Sequence, residues 1–597
     1  MAKKLQPINY TSRDFDSIRA DLEEYAKRYY SETYKDFTQA GFGSLMLDTV
    51  SYIGDILSFY LDYQANESFL DTAMEYTNVV RLAREMGFKL NPNASSYGLV
   101  TFYIKVPASS TSLGPDYNYA PVLKAGSELS ALGGGFYSLI DDVDFSATTN
   151  PVVVGAVNNT TGNPINYVIR SQGRVISGRM TTETFEIGVF ERFRKLNLGT
   201  SIINNVVRVV DSEGHEYYEV ENLSQNIIFK ALRNTSTTRA SVPNILKATP
   251  VARRFTTEYD GNRTTLQFGY GSDSELLSEA VVDPTNLMLD LNGRTYVTET
   301  NFDPTKLISS DKFGIAPANT TLTISYRYNT VADVNAAVGA INQITAPHLR
   351  FNNQAQLNVG KRTDVRASLE AFNEEPLVGS VELPSSAEVK ERVFGYFAAQ
   401  NRAVTVEDYR AIIYGMPAKF GAVKRVAIER DFDSFRRNLN AYVISEDTSG
   451  KLLAANSTLK NNVKSWINHY KMINDTVDLL DAQIVNFGVE YSIVNDYSTS
   501  RFTTISKCNS TLVKYFLQGY DIGEAINISD IYKVLNRVPG VVDVVDVRLK
   551  LKSGGSYSES NYDFDSHLSV DGRQLAADVG VIFEIKFPNN DIKGSIK

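Results

Sequence analysis

Between residues 15 and 29 the apolar side chains fall in one narrow stripe. Phe15, Ile18, Leu22, Tyr25 and Tyr29 recur at alternating intervals of three and four, the period of one face of an α-helix. Glu23 with Lys27 and Glu24 with Arg28 form i,i+4 pairs on the wet side. Thr11 with Asp14 fits a capping box, and Asp14 and Asp16 stand where the helix dipole favours acids. Gly41 and Gly43 interrupt the pattern. A second helix is predicted from about Ser44, with Leu47, Val50, Ile53, Leu57 and Tyr60 on one face. Met46, Ile56, Phe59 and Leu61 lie elsewhere on it, so it is apolar on most sides and is expected to be buried. A third helix runs from about Thr72 through Val79, Val80, Ala83 and Met86; Gly87 suits its C-terminal cap, and Pro92 prevents its resumption.

From about Tyr97 the period changes to that of a strand. Leu99, Thr101, Tyr103 and Lys105 alternate with Val100, Phe102, Ile104 and Val106, and Pro107 ends the run. Short strands continue to about residue 330, including Thr184–Val189, Val206–Val210, Tyr217–Val220, Thr264–Phe268 and Leu322–Tyr328. Asp260-Gly261-Asn262 and Leu291-Asn292-Gly293 carry hairpin-turn chemistry. Phe372–Ser386 has the look of a connection, followed by a helix from Ser386. Thr405 and Asp408 form a capping box for a helix that stops near Gly415-Met416-Pro417. Strands Ala422–Ile428, Ala441–Ser445, Ala482–Ile493, Val541–Leu551 and Val581–Phe587 then alternate with helices Ser457–Tyr470, Ser500–Leu517 and Ser529–Leu535. The polar stretch Lys552–His567 is expected to be a mobile loop. The fold class is therefore multi-domain α+β: a helical domain over 1–96, a β-rich region over 97–330 in two subdomains, connecting helices over 331–400 and an α+β C-terminal domain over 401–597.

Composition narrows the function. Across 597 residues, 60 Lys and Arg stand against 69 Asp and Glu, a net charge of −9, with no block of five or more Lys/Arg. Nucleic acid is not an expected partner, because gripping phosphate backbones calls for a basic excess or stripe. Asp48, Gly54 and Asp55 break the most apolar stretch, so no membrane span is expected. The N-terminus lacks an apolar signal core, which points to synthesis in a cytoplasm. A single cysteine, Cys508, makes no internal disulfide and reads as a buried thiol. Tyrosine is abundant, 34 residues, and suits both interfaces and strands.

Candidate chemistry is sparse. His215, His348, His469 and His567 lie far apart, and no zinc, phosphate-loop or serine-elbow motif is present. Gly269-Tyr270-Gly271 follows a strand but lacks the rest of a dinucleotide fingerprint; a hairpin turn is the commoner use. Asp141-Asp142-Val143-Asp144 and Asp431-Phe432-Asp433 offer carboxylates to a hard cation, or are solvated acidic turns. No catalytic, cofactor-binding or metal residue is assigned, and the chain is not read as an enzyme.

Several segments resemble one family, in order along the chain. They are Ile8–Phe15, Phe37–Ala73, Arg81–Gly98, Lys124–Leu129, Tyr326–Ile341, Arg402–Tyr409, Phe420–Val426 and Ile531–Val545. Together they are similar to baseplate-J-like proteins, and more specifically to the long baseplate wedge proteins of contractile-tailed, T-even-like phages. The resemblance implies a structural subunit of the virion tail, made in the host cytoplasm. It implies two copies in a wedge beside one larger wedge protein, joined partly through a helical bundle. Wedges would close around the tail hub into a ring of about twelve copies, would bind a small sheath-initiating wedge protein, and would rearrange on sheath contraction. The stripe Phe15, Ile18, Leu22, Tyr25 and Tyr29 is then the candidate bundle interface, or it packs only on its own second and third helices. The 401–597 domain is the expected dimerisation element, and small domains on short connections suit rigid-body motion. Two alternatives stay open: a glycan-binding or glycan-degrading tail protein built on the tyrosine-rich strands, and a baseplate component of a contractile injection machine.

Overall fold

The computed structural model describes residues 13–30, 32, 41–90, 93–110, 114–200, 203–233, 244–260, 263–272, 313–331, 333–431, 438–497 and 499–597. Thr11, Pro92, the Leu291-Asn292-Gly293 turn and Asp433 lie outside these residues. The chain divides into two units, residues 1–89 with 384–397, and residues 90–383 with 398–597.

In the first unit, Asp14 is the N-cap of helix α1 (Phe15–Tyr29). Its carboxylate accepts from the Ser17 amide and hydroxyl, at 3.4 and 2.6 Å. It therefore opens the helix itself, rather than serving as the third residue of a box begun at Thr11. Helix α2 (Phe42–Glu67) follows. Glu67 at its end accepts from the Met74 amide (2.8 Å) and the Asn78 amide group (2.9 Å), which turns the chain into helix α3 (Tyr76–Glu85). Helix Ser386–Ala399 contributes to this unit, opened by a reciprocal Ser385–Glu388 cap. Leu70, Ala73, Val79, Ala83, Phe88, Val389 and Val393 are its buried apolar residues. The Phe88 ring meets Tyr396 edge-on at 5.6 Å, and Lys390 reaches the Asp71 carbonyl at 2.8 Å.

The second unit carries the strands. Strand Tyr97–Pro107 buries Val100, Phe102, Ile104 and Val106 completely, as its alternation predicts. It pairs antiparallel with the long strand Pro164–Ser177 on one side and with Glu370–Phe372 on the other. Ile341–Ala346, Glu128–Ala131 and Phe136–Leu139 complete one sheet, and Val152–Val157 pairs on its margin. A second sheet orders Arg179–Ile187, Thr320–Tyr328, Ile203–Asp211, Glu216–Glu219, Arg254–Asp260, Arg263–Phe268 and Lys195–Asn197. The last two long strands of that series pair from Asp260 opposite Arg263, where turn chemistry marks a hairpin. The stretch 331–400 differs from the connecting helices expected there. Helix Val359–Ala367 is present, but Ile341–Ala346 and Glu370–Phe372 are strands recruited by the first sheet.

The C-terminal part is α+β. Asn438–Glu446 pairs with Arg425–Arg430, Leu452–Ala454 and, in parallel, Thr476–Asp481. Gln483–Asn495 pairs with Val541–Lys552 and, in parallel, with Val581–Glu584 and Ile592–Ile596. The helix after Thr405 is Val406–Tyr414, with the Thr405–Asp408 capping box formed. Cys508 is buried beside Tyr491, and burial raises the thiol pKa, which leaves it a packing residue. The stretch Lys552–His567, expected to be a mobile loop, is pinned down. The Ser558 amide donates to Asn486 Oδ1 at 2.7 Å, Tyr557 donates to the buried Asp591 at 2.6 Å, and Tyr562 joins the core. A polar composition concealed two tyrosine anchors.

Both sheets and the C-terminal part meet at a knot of buried polar side chains. Ser96 donates to Asn335 Oδ1 (2.6 Å), and the Asn335 amide group donates to the Ser380 and Glu446 carbonyls (2.8 and 2.9 Å). Asn204 donates to Asn329 Oδ1 (2.9 Å) and Ser95 Oγ (3.1 Å). Asn456 donates to the Tyr97 and Pro376 carbonyls (2.6 and 3.0 Å), and the Tyr97 hydroxyl donates to the Lys419 carbonyl. Burial pushes the Tyr97 hydroxyl up to about 12. Each group here replaces water with a protein partner, so the loss of one strands several others. These hydrogen bonds fasten the β-rich middle to the C-terminal part. Asn335→Ala is expected to lower the unfolding free energy by about 2–4 kcal/mol, because Ser96, Ser380 and Glu446 all lose a partner; urea unfolding followed by tryptophan fluorescence measures it.

Candidate assembly interface

Helices α1 and α2 pack antiparallel through a seam of small and charged residues. Arg13 pairs with Asp62 at 2.7 Å, and Arg19 pairs with Asp48 at 2.6 Å while also donating to Ser44 Oγ at 3.1 Å. Between these ion pairs Ile18 lies over Gly54, where a Cβ would stand 3.2 Å from Ile18 Cδ1. Ser44 and Ser51 are the only fully buried residues of α2. Small residues on that side let the α1 backbone approach closely.

The consequence is on the other side of α2. Met46, Val50, Ile53, Leu57 and Tyr60 recur at intervals of four, three, four and three, centred opposite the serine seam. Their exposure runs from 49% at Met46 to 62% at Tyr60. Leu45, Tyr52, Phe59 and Leu61 widen this surface and are also exposed. Among the described residues, the helix expected to be buried is covered along its small, acidic side, the side against which α1 fits. Its charged residues are all acidic, Asp48, Asp55, Asp62 and Glu67. Single exposed apolar residues need no explanation, but a contiguous exposed face of this width is uncommon on a protein surface.

The stripe singled out in α1 is split by this packing. Phe15, Ile18 and Leu22 are half-buried, whereas Tyr25 and Tyr29 are exposed, with ring centroids 4.7 Å apart. The residues that sequence reasoning passed over as an interface are those of α2. The signal was present, an apolar face too wide for one neighbour, but periodicity alone does not say which side a neighbour takes.

The candidate chemical groups are occupied by their own chain. Asp142 is bonded by Lys124 at 2.5 Å, which holds its carboxyl below the usual range, and Asp141 pairs with Arg174 at 2.7 Å. Asp144 caps the Ser146 amide at 2.8 Å. These acids are exposed to solvent, tied to Lys124, Arg174 and the Ser146 amide rather than turned toward a shared centre. Gly269 is not in a hairpin turn: a Cβ there would collide with the Gly314 carbonyl, and the Gly271 amide donates to that same oxygen at 2.9 Å. Among the described residues no three of His, Cys, Asp and Glu converge on a metal-sized site. Tyr137, Tyr217 and Tyr326 of the β-rich strands are core residues rather than an exposed sugar platform. No described helix is long and apolar enough to cross a membrane.

Comparisons with known proteins bear on the first unit. Residues 14–85 match the family described as bacteriophage baseplate protein, N-terminal domain. These residues span α1, α2 and α3, so the exposed face lies inside the matched segment. A chain of the anti-feeding prophage baseplate, a cryo-EM structure with 6-fold symmetrisation, is similar at 11% identity over 95% of this chain and 90% of that chain, with a TM-score of 0.25. A chain of the type VI secretion system TssK-TssF-TssG baseplate subcomplex is similar at 9% identity over 72% of this chain and 96% of that chain, with a TM-score of 0.24. TM-scores this low do not establish a shared fold. No curated protein matches the chain.

If the outer face of α2 packs against nothing in its own chain, Ile53→Ser and Leu57→Ser are expected to change the unfolding free energy of the isolated chain by less than about 0.5 kcal/mol. Ser51→Leu, on the buried side, is expected to cost about 1–3 kcal/mol through overpacking. Chemical denaturation followed by far-UV circular dichroism compares the three.

Proposed function

We propose that the chain is a structural subunit of a phage tail baseplate wedge, and that its N-terminal helices enter a bundle with other baseplate chains. The observation that carries this reading is the uncovered apolar face of α2, Met46 to Tyr60, within the segment that matches a baseplate N-terminal domain. Such a face gains free energy when a partner helix fills it. Tyr25 and Tyr29 extend the same unit's apolar surface, so the α1 stripe contributes its far end to the bundle while its near end holds α2.

In this reading the chain serves by position and not by turnover. It pairs with a second copy through the 401–597 part, joins a larger wedge protein, meets the small sheath-initiating protein and the tail hub, and closes a ring of about twelve copies. It resides in the virion after synthesis in the host cytoplasm. The buried polar knot suits this role, since a ring that changes diameter needs members that move as rigid bodies about their contacts.

The test is a phage carrying Ile53→Asp with Leu57→Asp. Two anchors worth about 2 kcal/mol each weaken an association roughly a thousandfold. The expected result is a chain that is made and folded, with its thermal transition unchanged, yet absent from purified tails, and a plaque titre that collapses. Normal incorporation and titre would contradict the proposal.

A further inference from the structure

The stretch from the end of strand Val541–Lys552 to Val581 crosses back over the C-terminal core as a strap. It contributes Tyr562, Phe564 and Leu575. The Tyr562 and Phe564 rings lie edge-on to the buried Phe583, at 5.8 and 6.4 Å. Gln574–Leu575 pairs with Ile526–Asn527. Where the strap doubles back on itself, His567 joins its two limbs. Nδ1 stands 2.7 Å from the Asp563 carbonyl oxygen, and Nε2 stands 3.0 Å from Asp578 Oδ2. The ring is stacked on Tyr562, with centroids 4.3 Å apart and planes 29° apart. The Tyr562 hydroxyl donates to the Ala576 carbonyl at 3.1 Å and accepts the Asp578 amide at 3.2 Å, while the Ala576 amide donates to the His567 carbonyl at 2.9 Å.

We propose that His567 is a protonation-dependent latch that closes this strap over the C-terminal core. A neutral imidazole carries one N–H, whereas here both ring nitrogens face acceptors; only the imidazolium donates to both at once. The groups that face the ring are the Asp563 carbonyl and carboxylate, the Asp578 carboxylate, the Tyr562 ring and the Ser566 hydroxyl, 2.9 Å from Nδ1. No cation is among them. The hydrogen bond to Asp563 and then the Asp578 charge raise the imidazole pKa above its ordinary value. A raised value means that the latch contributes fully below the unfolded-state pKa of about 6.5 and loses its contribution as pH rises through the folded value. Release removes this side-chain link between the 562–567 and 576–578 limbs and leaves them held by the Tyr562 hydroxyl and the Ala576 amide, so the strap opens more often over the Tyr562–Phe583 contact.

The test is native-state hydrogen exchange on the intact chain, read at peptides covering residues 562–578 at about pH 6 and about pH 8.5 and corrected for the intrinsic pH dependence of exchange. The wild-type strap is expected to open several-fold more often at the higher pH. In His567→Gln the opening should be independent of pH, and in Asp578→Asn the transition should move to lower pH. A wild-type strap equally protected at both values would overturn the proposal, as would a His567→Gln strap that keeps the wild-type pH dependence. Should His567→Gln fail to fold, the Asp578→Asn transition decides: an unmoved midpoint overturns the latch.

Discussion

The structure turns on a single inversion in α2. A surface helix ordinarily buries its large apolar residues and shows its small and charged ones. Here serine, glycine and aspartate face α1, and methionine, valine, isoleucine, leucine and tyrosine face away from it and are exposed among the described residues. Each of those side chains is worth about 1.5–3 kcal/mol when fully removed from water, so five of them left half-exposed represent a driving force that the described packing does not use. The small seam is what makes this possible: Gly54 and the two serines let α1 dock without drawing on the apolar face, and the ion pairs at either end fix the antiparallel register.

The second unit answers the opposite need. Its sheets are joined through Asn204, Asn335 and Asn456, whose amide groups each bridge backbone or side-chain groups from segments far apart in sequence. A buried polar network is costly when half satisfied and rigid when complete. Geometry is specified by such a network more strictly than by apolar packing, which tolerates sliding.

Local structure was legible in the sequence wherever it depends on near neighbours. The Thr405–Asp408 capping box, the alternation that buries Val100 to Val106 and the helix periods of α1, α2 and α3 all follow from adjacent side chains. Long-range choices were not legible. Glu370–Phe372 falls in the 331–400 stretch read as connecting helices because its partner, Thr101–Tyr103, lies far upstream and nothing local announces the pairing. The stretch Lys552–His567 reads as mobile because its Ser and Gly residues outnumber the two tyrosines that hold it. The Asp141–Asp144 acids invite a cation because Lys124 and Arg174 are brought to them only by the fold. The α1 stripe showed its period but not its division, since Phe15, Ile18 and Leu22 are half-buried while Tyr25 and Tyr29 are exposed.

The central claim is that α2's outer face is open in the free chain and closed in the assembled particle. The chain's only cysteine, Cys508, is buried, so a cysteine placed at Ile53 or Leu57 reports on that face alone. Thiol labelling of the folded chain is expected to be rapid, and labelling of the same variants within intact tails is expected to be blocked until the particle is denatured. Equal labelling in the free chain and in the tail would contradict the account.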